Sequence, residues 1–316
     1  MKLATHEQTR SFLPGKLPPG VEPVWFSTPD GAMDAVQDAE IGWLDLIRPP
    51  LFVRALAAGP KLKWVSTGMS GVNGLPLDTF KARGIALTNG AGVNAIPVAE
   101  YAVMGMFVLA KNFPGVMKIQ EARVWPDFGV PAPGVGELFE SKALIIGYGA
   151  IGQAIGDRIR GLGVQATPVR RTANRADGVL GPDDWRARLG EFDWVIVTAP
   201  ATAETRNLIG AAELAAMKPS AYVLNVARGD SIDQAALLAA VNAKRIAGAF
   251  LDVVLPEPAP PDDPVWSTPG VIMTSHLSGR SQTRMRERSA VLFLENLGRY
   301  LKGEPLRNLV DLDQGY

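Results

Sequence analysis

The chain has no cysteine and only two histidines, His6 and His276. The first absence excludes disulfides, zinc–thiolate sites, iron–sulfur clusters and thiol nucleophiles together; the second leaves no material for a multi-histidine metal site, so no metal is expected. Charge of one sign is lacking too. Lys and Arg total 32 against 32 Asp and Glu, and without a long basic run nothing marks nucleic acid as a partner. The longest apolar stretch, near Tyr101 to Ala110, falls well short of a membrane span, and MKLATHEQTR at the start holds no apolar core of signal-peptide length. A cytoplasmic protein with no membrane partner is the expectation. At 316 residues the chain is long for one core, which predicts two domains.

The most informative stretch present is ALIIGYGAIGQAIGDRIRGLGVQATPVRR, Ala143 to Arg171. Ala143 to Ile146 reads as a buried parallel strand, and Gly147, Gly149 and Gly152 follow at the G-x-G-x-x-G spacing. Ile151, Ile155, Ile159 and Leu162 then recur at helical spacing, Gly163 ends the helix, and Val164 to Val169 reads as the next strand. In such a unit the first glycine permits the tight turn, the second lets backbone approach a pyrophosphate, and the third lets helix pack on strand; the anion sits on the helix N-terminus. Gly147, Tyr148, Gly149, Ala150, Ile151 and Gly152 are therefore candidate dinucleotide contacts. One further absence bears on which dinucleotide. Between Val169 and Arg175 there is no carboxylate to hold the ribose 2′-hydroxyl of NAD, whereas Arg170, Arg171 and Arg175 supply guanidiniums beside Thr172. Such a cluster suits a 2′-phosphate, which predicts NADP(H) as the preferred cofactor with NAD(H) possible.

Elsewhere short apolar runs alternate with helical ones. Val24 to Phe26, Ile41 to Leu44, Trp64 to Ser66 and Ile85 to Thr88 are strand candidates, with helices at Pro50 to Ala58 and Leu77 to Ala82. After a long apolar helix from Pro97 to Lys111 comes a long, mostly irregular excursion, Asn112 to Lys142, with Trp125 as an expected buried anchor. Strands then fit Trp194 to Thr198, Tyr222 to Val226, Ala247 to Leu251 and Val271 to Thr274; helices fit Ala212 to Met217, Gln234 to Ala243 and about Ser281 to Lys302. This is α/β alternation, hence parallel sheets with covered faces. The loop from Thr67 to Gly74 carries glycines beyond a strand end and can present amides to an anion, although its spacing alone favours a plain connector.

Ligands of open α/β sheets gather outside the carboxyl ends of the strands. Arg228 follows one strand candidate, Asp252 and Glu257 another, and His276 a third. An arginine there offers a planar fork to a carboxylate. A carboxylate beside an imidazole holds the ring and favours its protonated, proton-donating form. Together they supply an acid, its orienter and an anchor beside a nucleotide unit.

With LKWVSTGMSGVNGL, GIALTNGAGVNAIPVAEYAV, the glycine unit, APATAETRNLIGAAELAAMKPSAYVLNVARGDSID, AGAFLDVVLPEP and IMTSHLSG in view, the chain resembles the D-isomer-specific 2-hydroxyacid dehydrogenase family, whose members include glyoxylate/hydroxypyruvate reductases. The resemblance covers nearly everything after about residue 40. It implies two Rossmann-like domains, one flavodoxin-like and one NAD(P)-binding, with parallel sheets and a cleft between them. The substrate domain is then discontinuous, 1–97 plus 282–316; the NAD(P)-binding domain is 98–281 and includes a dimerisation arm near 98–140, so a homodimer is implied. It further implies that Arg228 binds a small 2-oxo acid, that His276 is the general acid/base and that Glu257 is its partner. The loop Met69, Ser70, Gly71, Val72 becomes the carboxylate-binding loop. Asp252 would contact the nicotinamide carboxamide, Ala199, Pro200 and Thr205 would lie along the adenosine, and Ala227 and Gly279 would line the nicotinamide. Trp43, Met69 and residues near Trp125 are candidate walls for the substrate side chain. Ser275 stands where Pro commonly precedes the histidine, which predicts a less rigid loop. A Glu rather than a Gln at 257 argues against the formate dehydrogenase branch. A nucleotide-sensing, corepressor-like binding protein on the same fold is the alternative, against which the intact Arg228, Glu257 and His276 speak.

Overall fold

The computed structural model describes residues 1–45, 49–72, 74–127, 134–280 and 284–315, without the side chains of Pro49 and Arg175. Asn73, Gly129, Pro131, Pro133, the first residues expected in the last helix and the Arg175 guanidinium therefore lie outside the described residues. The chain falls into two compact units, Met1–Asn94 with Ser281–Tyr316, and Ala95–Arg280; the family resemblance implies divisions at 97/98 and 281/282.

The first unit is built from β1 (Lys2–His6), β2 (Glu22–Phe26), α1 (Pro29–Val36), β3 (Ile41–Trp43), α2 (Pro49–Ala58), β4 (Trp64–Ser66), α3 (Leu77–Ala82) and β5 (Ala86–Thr88). Its 5-stranded sheet runs in the order β2-β1-β3-β4-β5, all parallel. That is the flavodoxin-like order, whose direction reverses between β1 and β3, and ligands of such sheets gather beyond the strand ends at that point. Strand β1 and helix α1 are additions to the elements expected. In β1 the apolar run is broken by Thr5, fully buried, whose hydroxyl hydrogen-bonds with that of Thr9; the partner that makes this polar residue acceptable inside is invisible to periodicity.

The second unit begins with α4 (Ala95–Ala110) and α5 (Phe113–Ala122) and continues through β6 (Lys142–Ile146), α6 (Ala150–Arg160), β7 (Gln165–Val169), β8 (Trp194–Val197), α7 (Ala211–Ala216), β9 (Tyr222–Asn225), α8 (Gln234–Asn242), β10 (Gly248–Leu251) and β11 (Val271–Met273). Its 6-stranded sheet has the order β11-β10-β9-β8-β6-β7, and a parallel bridge from Val169 to Leu180 extends it beyond β7. The order reverses between β6 and β8. Apolar side chains cover both faces. Leu144, Val195, Val223 and Leu251 point into one core with α7 and α8, while Ile145, Ile196, Leu224 and Phe250 join α4 and α6 in the other. Gly105 lets α4 press onto the sheet, since a Cβ there would lie 2.7 Å from the Phe250 ring.

The last helix, α9 (Met285–Lys302), belongs to the first unit. Phe293 stacks on Trp43 and Trp64 at ring-centroid distances of 4.7 and 5.3 Å, and Trp64 Nε1 donates to Thr88 Oγ1 at 3.0 Å. Such aromatic pairs add roughly 0.5–1.5 kcal/mol each beyond burial, which fixes α9 against β3 and β4.

Between 112 and 142 one expectation is refined and one is corrected. Part of the excursion is helical: Pro114 falls in the first turn of α5, where proline's missing N–H costs nothing. Trp125 is not buried but 89% exposed; size argued for burial, yet among the described residues no partner covers it. Among the described residues no single helix is long and apolar enough to cross a membrane.

Candidate active site

The glycine turn after β6 fits a dinucleotide by the space its missing side chains leave. Gly147 takes φ +95°, and a Cβ on it would lie 2.4 Å from Ala199 N, so the turns beyond β6 and β8 meet backbone to backbone at the point where strand order reverses. At Gly152 a Cβ would lie 2.7 Å from Gly147 O, whereas at Gly149 it would meet nothing within 4 Å. Closure on two sides and open space on the third form a cradle for a diphosphate. Gly149 is the N-cap of α6 and no side chain caps that end, which leaves amides of the first turn for an anion. Ala150 is exposed beside it, while Gly152 is buried. Thr198, unmarked by the sequence pattern, donates to Gly147 O at 2.6 Å and locks the turn. Thr205, which receives a hydrogen bond from Thr202 N and donates to Pro200 O, closes the following loop.

At the end of β7, Arg170 Nε donates to Tyr148 O at 2.8 Å and its guanidinium lies 5.6 Å from the Tyr148 ring centre. The exposed charge is thereby held against the glycine turn. Arg171 and Thr172 are exposed next to it. The Glu204 carboxyl is held below its ordinary range, first by the Thr202 hydroxyl and least by Arg171, so Arg171 shares its field with a carboxylate.

Arg228 is half-buried at the end of β9. Asn225 braces its turn, with Nδ2 donating to Arg228 O at 2.8 Å and Oδ1 accepting from Ala227 N at 3.0 Å; Arg228 Nη1 reaches Ala227 O at 2.7 Å. The next residue must be glycine, because a Cβ on Gly229 would lie 1.9 Å from Val254 O. Beyond the neighbouring strands, Glu257 Oε2 and His276 Nδ1 are 2.8 Å apart, and Glu257 Oε1 accepts from Val254 N. A carboxylate on Nδ1 places that proton there and turns Nε2 outward for proton exchange.

The loop carrying His276 is shaped by Asp252. This carboxylate, 1% exposed, accepts from Thr274 Oγ1 at 2.8 Å, Leu277 N at 2.8 Å and Ser278 N at 3.1 Å, while Asp252 O accepts from His276 N at 2.6 Å. Asp252 thus has a loop-building role that the sequence pattern did not suggest. Gly279 follows in the same loop. Ser275 and His276 are both left-handed, at φ 52° and 56°, which costs non-glycine residues roughly 1–3 kcal/mol each. Proline, fixed near φ −65°, cannot take the Ser275 conformation. The expected loosening is corrected accordingly: serine here permits a different, pinned turn.

In the first unit, the glycine loop is tied down by its carbonyls. Gly90 N donates to Met69 O at 2.8 Å and Asn89 Nδ2 to Ser70 O at 3.0 Å; a Cβ on Gly90 would lie 2.1 Å from Gly68 O. Asp45 Oδ1 accepts from Gly68 N at 2.6 Å and Thr67 Oγ1 at 3.1 Å, and Met69 N donates to Thr67 Oγ1. The Gly68 and Met69 amides are therefore committed, the Val72 side chain is buried in the core, and the crest is formed by Ser70, exposed, and Gly71, half-buried. Asp45, Asn89 and Gly90 went unnoticed in the sequence because no spacing links them to the loop.

Comparison with known proteins agrees with this chemistry. The model of the D-isomer specific 2-hydroxyacid dehydrogenase NAD binding domain matches residues 103–278, more than half of the chain. A glyoxylate reductase of Korarchaeum cryptofilum is 30% identical over 283 residues, covering 88% of this chain and 85% of its own. A crystal structure of a D-isomer specific 2-hydroxyacid dehydrogenase family protein from Aeromonas salmonicida superposes with a TM-score of 0.85 at 28% identity, covering 99% of each chain. An NADPH-dependent glyoxylate/hydroxypyruvate reductase from Sinorhizobium meliloti, in complex with NADP and malonate, gives a TM-score of 0.75 at 26% identity over 99% of this chain and 98% of that one. The chain belongs to the D-isomer-specific 2-hydroxyacid dehydrogenase family. It is an oxidoreductase that uses a nicotinamide cofactor on a small 2-oxo or 2-hydroxy acid.

Proposed function

We propose that this protein reduces a 2-oxo acid of the glyoxylate/hydroxypyruvate class to the D-2-hydroxy acid with NADPH. The hydrogen-bonded His276–Glu257 pair carries the reading: a sensor has no need of an oriented proton donor. Bound reduced nicotinamide supplies the hydride to C2. The family resemblance assigns the carboxylate to the Arg228 guanidinium and to the Ser70 and Gly71 amides, and His276 Nε2 gives its proton to the C2 oxygen as negative charge develops there. Glu257 steadies the imidazolium. Positioning and charge stabilisation account for most of the acceleration.

The preference for NADPH rests on Arg170, held against the glycine turn beside Arg171 and Thr172, and the name of the Sinorhizobium relative supports it. A homodimer is proposed as well, since Met104, Phe107, Phe113, Val116 and Trp125 are exposed apolar residues along one stretch of chain. The test is steady-state oxidation of NADPH and of NADH with glyoxylate and hydroxypyruvate, before and after Arg170→Asp. Turnover favouring NADPH, reversed by the substitution, is expected. Binding without turnover indicates the sensor, and a wild type favouring NADH refutes the cofactor choice.

A further inference from the structure

The first unit holds a cavity of about 370 Å³ lined by His6, Trp43, Asp45, Met69 and Asn94 among others. It lies beyond the carboxyl ends of β1, β3 and β4, where the strand order of that sheet reverses and a ligand is expected. It also shares Met69 with the loop proposed to receive the substrate carboxylate. A substituent on that acid therefore has this cavity within reach. We propose that Asp45 determines specificity there: its carboxylate accepts a hydrogen bond from the C3 hydroxyl of a hydroxypyruvate-like acid and turns away acids that end in a second carboxylate. The inference rests on the proposed 2-oxo acid reductase activity.

Asp45 is a fixed acceptor. Gly68 N and Thr67 Oγ1 hold Oδ1, and a carboxylate can accept about four hydrogen bonds, so capacity remains for a substrate donor. Asp45 keeps solvent access as a residue, yet the protein packed around its carboxyl pushes the pKa up, burial outweighing the Gly68 and Thr67 donors, Trp43 and the His6 charge. A second anion placed beside this carboxylate is repelled by it. Asn94 supplies an independent sign, because its Oδ1 is buried with no hydrogen-bond partner among the described residues. Two acceptors in one cavity call for a donor. His6, whose Nδ1 accepts from Gln8 N, carries its neutral-state proton on Nε2. Arg286 also lines the cavity and, like Asp45, is exposed; Asp45 is the one held in place, by Gly68 N and Thr67 Oγ1.

The experiment compares kcat/KM for hydroxypyruvate, pyruvate, oxaloacetate and glyoxylate in the wild type and in Asp45→Asn, with glyoxylate as each enzyme's own reference. In the wild type, hydroxypyruvate should exceed pyruvate and oxaloacetate by at least about tenfold. Asp45→Asn, which keeps an acceptor for Gly68 N, should raise oxaloacetate relative to glyoxylate by about tenfold or more and shrink the hydroxypyruvate advantage. Should that variant fail to fold, Asp45→Ser gives the same directions, and the wild-type ratios remain decisive. Oxaloacetate used as well as hydroxypyruvate overturns the inference and hands the choice to Arg286; so do ratios unmoved by the substitution in an active enzyme. No turnover with any acid is the separate failure of the reductase reading, and the inference falls with it.

Discussion

Replacing Asp252 by alanine removes the acceptor for Thr274 Oγ1, Leu277 N and Ser278 N in one step. Hydrogen bonds to a charged acceptor contribute roughly 1.5–3 kcal/mol each, but the hydroxyl can rotate to another partner and Leu277 is 45% exposed, so water can take over its amide. Ser278 is 5% exposed and its amide has no such escape. The net loss is about 3 kcal/mol, or a fall in Tm of roughly 6–12 °C for a unit of this size. Catalysis should fall further than stability suggests. The left-handed Ser275–His276 pair relaxes once its restraint is gone, and a misplacement of about 1 Å can cost about a hundredfold in kcat. Calorimetry, steady-state kcat and a fluorescence titration of NADPH read the three quantities. If the carboxylate acted chiefly by touching the carboxamide, NADPH affinity would collapse with Tm unchanged. That outcome, or a kcat within threefold of wild type, refutes the positioning argument.

The other predictions are briefer. Ser275→Pro, which restores the residue common in the family, should lower kcat by at least about tenfold and reduce Tm, because φ 52° is closed to proline and the N–H that approaches Met273 Sδ is lost; unchanged kinetics and Tm would show the left-handed turn to be wrong. Asp45→Asn should melt above the wild type at pH 8. Burial raises the Asp45 pKa above its ordinary 3.8, so the folded state holds that proton more tightly, and the wild type loses stability as pH rises through the folded value. The gap should close as pH falls toward 4, and a gap independent of pH contradicts the sign. Sedimentation should find a dimer that Trp125→Asp weakens, whereas a monomeric wild type removes the proposed interface.

Much of this site was legible in the residues alone, for physical reasons. The glycine unit is readable because each position answers a local requirement, a positive φ at Gly147 and a close approach at Gly152, that no other residue meets. Strand ends are readable from apolar runs, which is how Arg228, Glu257 and His276 could be placed. Polar groups whose partners are distant in sequence stayed hidden. Asp252 looks like any acidic residue after a strand until Leu277 and Ser278 turn back onto it, and Asp45 acquires meaning only from Gly68. Trp125 failed for the opposite reason, since its apolar area says that something must cover it but not what.

The central claim is that His276, oriented by Glu257, gives a proton to the C2 oxygen of a 2-oxo acid. NADPH oxidation with hydroxypyruvate by His276→Ala tests it most directly, alongside NADPH affinity measured on the same sample. A loss of about 10²–10⁴ in kcat with affinity nearly intact is predicted; turnover by His276→Ala close to the wild-type rate would contradict it.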